Sequence, residues 1–151
     1  MVKANDGFKN CNVLGSNVTM FDVQFNPDPI TAPETSTTNF KISGDIGDFG
    51  ADHGNIFSLG AYVTVQYRSN SIGVDPYYEF PIPAGNKNFA TELNIATHSS
   101  VHQEYTLEFN IYDGSDHIGC VMFERSGSPV IILTNYKLKN RNLKISIPQY
   151  K

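Results

Sequence analysis

The stretch that decides the fold covers residues 56–85, IFSLGAYVTVQYRSNSIGVDPYYEFPIPAG. Ala61, Val63, Val65 and Tyr67 alternate with Tyr62, Thr64 and Gln66, and successive side chains of an extended chain point to opposite sides. This predicts a half-buried strand with a wide apolar face. The second half, Pro76-Tyr77-Tyr78-Glu79-Phe80-Pro81-Ile82-Pro83, is punctuated by prolines. These forbid helix and remove ladder donors, so the chain must run there as an edge or a bordering loop. Bulky aromatics then sit where the sheet cannot close tightly. Two outcomes fit the pattern: an apolar pocket edged by aromatics, and an ordinary filled sandwich core with a Pro-rich crossover.

Outward from this stretch the same alternation recurs. Residues 18–25 place Phe21, Val23 and Phe25 on one face, and Asn26-Pro27-Asp28-Pro29 ends that strand because each proline restricts its predecessor. Residues 38–46 set Phe40 and Ile42 against Lys41 and Ser43, and residues 89–96 carry Phe89, Thr91, Leu93 and Ile95 on alternate sites. In residues 105–112, Tyr105, Leu107, Phe109 and Ile111 face one way. Asp113-Gly114-Ser115-Asp116 reads as a hairpin turn, leading into a strand over residues 118–124. Past Ser126-Gly127-Ser128-Pro129, residues 130–133 and 143–147 read as two further short strands turning at Lys139-Asn140-Arg141-Asn142. No segment has the length and 3.6-residue period of a sound helix. Short strands separated by Gly, Pro and Asn predict an all-β fold, an antiparallel β-sandwich of two sheets with an added C-terminal β-hairpin.

A chain of 151 residues with 40% hydrophobic content is long enough for one core and short for two. We read one domain, with a sandwich in residues 1–124 and a basic extension in residues 125–151 packed on it. No apolar run approaches the roughly 20 residues that span a bilayer, and a soluble protein is expected. The net charge of -4 argues against nucleic acid as a partner. That average hides an asymmetry. Arg125, Lys137, Lys139, Arg141, Lys144 and Lys151 follow residue 124 with no Asp or Glu among them, while all fifteen acidic residues lie within residues 1–124. A basic end on an acidic body fits self-attraction, a transient contact with an anionic membrane surface, or a protein partner.

The two cysteines, Cys11 and Cys120, suggest one disulfide in an oxidising compartment, although two buried thiols remain the other reading. A bond would close a loop of roughly 100 residues, worth about 4 to 5 kcal/mol in the chain-entropy model. The triplet Asn17-Val18-Thr19 makes Asn17 a candidate glycosylation site and fits secretion. MVKANDGFKN has no apolar core and does not read as a signal peptide. The secreted or endolysosomal reading therefore needs a leader outside these residues, and the cytoplasmic reading stays open.

Catalytic and metal constellations are hard to assemble. His98 and His102 lie four apart in a loop-like THSSVH with no third ligand nearby, and Asp45, Asp48 and Asp52 do not follow EF-hand spacing. The sequence has no G-x-S-x-G elbow, P-loop or G-x-G-x-x-G fingerprint, and Asp113 with Asp116 sits in a turn. The expectation is a protein that is not an enzyme and needs no cofactor or metal.

Several local patterns now line up in order: Cys11, NVTMFDVQFNPDP, FKISGDIG, LGAYVTVQY, FPIPAG and EYTLEFNIYDGSDHIGC. Over residues 11–124 this succession resembles the ML lipid-recognition superfamily. Its members include the fungal phosphatidylglycerol/phosphatidylinositol transfer proteins and the Niemann-Pick type C sterol-transfer protein. The resemblance implies an immunoglobulin-like sandwich whose sheets splay to hold the apolar part of a lipid, such as a phospholipid, sterol or fatty acid. It also implies a Cys11–Cys120 bond. Pro81-Ile82 matches the family's C-P-I segment, with Phe80 in place of the cysteine. Carried over, Phe80, Ile82, Phe89, Phe109 and Val121 are the first lipid-lining candidates, joined on alternation grounds by Val63, Val65, Leu107 and Ile111. The family's inner disulfides are missing, and the basic segment after Cys120 is an addition. The competing expectation is a protein-recognition sandwich with a filled core, acting through its loops, its C-terminal hairpin or exposed aromatics such as Tyr77 and Tyr78. Phe109→Asp is expected to abolish lipid binding under the first reading and only to destabilise the fold under the second.

Overall fold

A computed structural model describes residues 4–11, 18–30, 36–49, 56–69, 77–96 and 104–126. The decisive stretch forms two strands of one sheet. Ala61–Ser69 pairs antiparallel with Tyr77–Pro81, so Val63 faces Phe80 and Val65 faces Tyr78. In chain order the strands are β1 (Phe8–Lys9), β2 (Asp22–Asn26), β3 (Thr37–Asp45), β4 (Ala61–Ser69), β5 (Tyr77–Pro81), β6 (Asn88–Ala96), β7 (Glu104–Asp113) and β8 (Asp116–Ser126). A 3-10 turn, Ile46–Phe49, follows β3.

These strands make two antiparallel sheets, one ordered β1-β8-β7-β4-β5 and the other β2-β3-β6. The fold is an all-β sandwich, and its order is that of an immunoglobulin-type Greek key with the crossovers passing between sheets. The reason is period-two alternation. In β7, Tyr105, Leu107, Phe109 and Ile111 are buried and face Phe40, Ile42, Val23 and Phe25 of the other sheet within one core. Phe40 and Phe109 meet across the interior with ring centroids 5.6 Å apart. The β7–β8 hairpin turns at Asp113–Asp116, where Gly114 takes a φ of 65° in the left-handed region. Ile118 is the extra residue of a bulge, since Ile111 pairs with Gly119 and Tyr112 with His117.

One long side of the sandwich is laced shut. Thr19 bridges to Gly119 and Ala4 to Val23, the Cys120 amide donates to the Thr19 carbonyl at 3.0 Å, and Cys11 is disulfide-bonded to Cys120. The buried disulfide fits an oxidising compartment. β2 ends at Asn26, where the Asn-Pro-Asp-Pro segment was expected to break it. β8 runs on to Ser126, two residues beyond the expected strand end, and carries Arg125 within the sheet. The expected C-terminal hairpin, Asn17, His98, His102 and Asp52 lie outside the described residues, as does the side chain of Asp48.

Candidate functional site: the side between β5 and β6

The side opposite the laced one is built differently. β5 ends the five-stranded sheet and β6 ends the three-stranded sheet, and the two follow each other in the chain through a short turn. Among the described residues no ladder joins β5 to β6. Pro81 closes β5 and Pro83 follows just beyond the strand, so this edge lacks a donor at Pro81 for the physical reason read from the sequence. Phe80 and Tyr78 share the inward face with Val63 and Val65, while Leu93 shares it with Phe40. Tyr78, Phe80 and Leu93 are only partly buried and pack against the core. Three apolar side chains therefore stand at the threshold of the interior along two edges that are unpaired among the described residues.

The turn that connects β5 to β6 is pinned to its neighbours. The Ile82 amide donates to the Ala61 carbonyl at 2.9 Å, the Gly85 amide to the Phe57 carbonyl at 3.0 Å, and the Ile46 amide to the Lys87 carbonyl at 2.8 Å. Phe57 packs edge-on to Phe89, with ring centroids 5.7 Å apart, and Phe89 lies against Phe21. Ile56 and Leu59, in the loop before β4, are exposed at 57% and 93%.

The expected lining residues divide by position. Val63, Val65, Leu107, Phe109, Ile111 and Val121 are all fully buried in the centre of the core. Phe109 is wedged between Phe40 and Phe123. Ile82 and Phe89 are buried near the pinned turn, and Phe80 is at the threshold. The structure thus gathers all nine candidates on the interior, with only Phe80 reaching the opening. Tyr78 and Leu93 join it there. Tyr78 lies two residues from Phe80 on the same face of an extended segment, a signal available from alternation alone.

Polar chemistry gathers elsewhere. A half-open groove of about 420 Å³ runs along the ends of β4, β7 and β8, lined by Arg68, Glu104, Tyr105, Thr106, Glu124 and neighbouring β8 residues. It is walled by charge and lies away from the β5–β6 side, so it is not the apolar site sought. Arg68 pairs with Glu108, Nε to Oε2 at 3.1 Å. Asp45 accepts the Gly47 amide at 2.8 Å, which starts the 3-10 turn. Asp113 accepts hydrogen bonds from the Ser58 amide and hydroxyl, which holds the loop before β4. Among the described residues no three His, Cys, Asp or Glu side chains converge as metal ligands. In comparisons with known proteins, the chain matches no family model and no curated protein.

Proposed function

We propose that this protein binds a lipid without catalysis, in the manner of the ML lipid-recognition proteins its sequence resembles. The observation that carries the reading is the unlaced side. Tyr78, Phe80 and Leu93 form a partly exposed apolar threshold between two sheet edges that share no ladder among the described residues. An acyl chain entering between β5 and β6 would meet Val63 and Val65 first and Phe109 and Ile111 beneath them. Among the described residues no ladder joins these edges, so parting them costs packing rather than ladder hydrogen bonds. Each methylene buried returns about 0.8 kcal/mol, and a chain of ordinary length offsets that cost. Exposed Ile56 and Leu59 in the loop before β4 suit transient contact with a membrane surface, from which such a ligand would be taken. No reacting group is needed for this activity.

The filled interior favours a second reading. Phe109 is in ring contact with both Phe40 and Phe123, as in a sandwich that holds nothing and recognises a protein through its surface. The two readings separate at Phe80. Phe109→Asp no longer discriminates, because an acid at the centre of this ring cluster unfolds the protein under either one. Phe80→Asp places the charge at the threshold instead. Under the lipid reading, uptake of a fluorescent phospholipid or sterol from mixed vesicles falls at least tenfold while thermal unfolding stays cooperative. Equal uptake by wild type and variant, or none by either, refutes it.

A further inference from the structure

Among the described residues, two hydroxyls inside the sandwich are left without a hydrogen-bond partner, Thr38 Oγ1 and Tyr67 Oη. Both side chains are 0% exposed. Thr38 lies near the start of β3 and Tyr67 near the end of β4, so both fall at the end of the sandwich away from the β5–β6 turn. A buried hydroxyl with no partner is a cost that folded proteins rarely leave standing. Burial pushes the Tyr67 pKa well up, the Tyr78 and Tyr105 hydroxyls add to that shift, and the neighbouring Thr38 hydroxyl opposes it. Tyr105 is already engaged, because its hydroxyl accepts a hydrogen bond from the Ile30 amide at 2.8 Å. Tyr78 belongs to the threshold, and its ring packs edge-on to that of Tyr67 with centroids 6.3 Å apart. The unpaired hydroxyls therefore lie one side chain behind the opening.

We propose that Thr38 and Tyr67 receive the hydroxyl of a neutral lipid, a long-chain alcohol or sterol, whose polar end enters the sandwich first. The inference rests on the lipid reading and narrows it. A ligand hydroxyl both donates and accepts, so one such group serves both side chains at once. Charged headgroups do not suit this position. Among the described residues the inward faces of β3, β4, β5 and β6 carry no Lys, Arg or His. Arg125, which pairs with Tyr105 in the sheet, is held by Asp28, with Nε 2.6 Å from Oδ1. A carboxylate or phosphate drawn inside would be buried without a counter-charge, which is far costlier than burying a hydroxyl. Plain hydrocarbon fails differently: it leaves both hydroxyls unpaired, and a site with buried polar groups rejects an analogue that lacks the matching hydroxyl.

Incubation of the full chain with phosphatidylcholine vesicles carrying equal amounts of hexadecanol and hexadecane tests this. The protein is re-purified, and the lipid it retains is extracted and quantified by chromatography. The wild type is expected to retain hexadecanol at least tenfold over hexadecane. Tyr67→Phe and Thr38→Val keep the side-chain shape and remove only the hydroxyl, so both variants are expected to unfold cooperatively. Each is expected to lower the alcohol-to-alkane ratio at least fivefold while still retaining hexadecane. Retention of phosphatidylcholine alone, or of alcohol and alkane equally, overturns this inference and leaves the lipid reading standing. A preference unchanged in both variants does the same, because it puts the ligand hydroxyl elsewhere. Retention of no lipid overturns both.

Discussion

Arg125 does at one residue what a longer N-terminal strand would do with many hydrogen bonds. Its guanidinium binds the Asp28 carboxylate, with Nε 2.6 Å from Oδ1 and Nη2 2.9 Å from Oδ2, and donates to the Asp6 carbonyl at 2.6 Å. It lies over the rings of Phe25 and Phe123, 5.6 and 5.3 Å from their centroids. Asn5 donates to the same carboxylate at 2.7 Å. Burial alone would raise the Asp28 pKa, but the hydrogen bonds from Arg125 and Asn5 and the Arg125 charge outweigh it and hold the carboxyl below its ordinary 3.8. A depressed carboxylate pKa adds stability that is complete above the unfolded value and is lost as pH falls through the folded one. Arg125→Met should therefore cost about 1 to 2 kcal/mol at pH 7. The gap to wild type should narrow by pH 3 in urea unfolding, and a gap independent of pH would contradict the assignment. Gly119 acts by its lack of a side chain. A Cβ there would stand 2.8 Å from Phe49 Cε1 and 3.0 Å from Phe21 Cδ1. Gly119→Ala should lower stability by about 1 to 3 kcal/mol, because two buried rings must shift; an unchanged denaturation midpoint would contradict this.

Among the elements, β5 is the one whose prolines decide its place. A ladder donor is missing at Pro81 and Pro83 follows just beyond the strand, so the segment runs as an edge, and inward Tyr78 and Phe80 stay partly exposed where no strand among the described residues covers them. The sequence already carried that reading in the proline spacing and the i, i+2 aromatics. The strand alternation in β3, β4, β6 and β7 was equally legible, because each keeps period two for nine or ten residues. The Asp28–Arg125 lock was not, since its partners lie 97 residues apart and no local pattern relates them. The burial of Thr64 and Asn110 was hidden for another reason: period-two alternation assigns those positions to water. The disulfide is an element-scale tie, fixing the segment after β1 to β8. Cys11→Ser combined with Cys120→Ser should cost about 2 to 5 kcal/mol in chemical denaturation. It should also speed hydrogen exchange at Phe8 and Lys9 more than in the β4–β7 ladder. Uniform exchange across the sheet would contradict that local role.

For the molecule as a whole, the asymmetry between its two long sides is what connects fold to function. Bridges, a disulfide and the Arg125 lock close the side carrying β1 and β2, while on the other side the described residues join β5 to β6 through the turn between them. A sandwich fastened along one side can part along the other with its core registers intact, which is the motion that lipid entry between the sheets requires. All nine lining candidates were legible as inward-facing from alternation and resemblance. Their separation into a packed centre and a threshold was not, because alternation reports which face a side chain takes and not how far it lies from an open edge. The most direct test of lipid binding is native mass spectrometry of the protein after incubation with mixed phospholipid and sterol vesicles, followed by organic extraction. The account predicts a one-to-one lipid adduct that Phe80→Asp removes. A bare protein mass across phospholipids, sterols and fatty acids would contradict it and leave the filled-core recognition domain in its place.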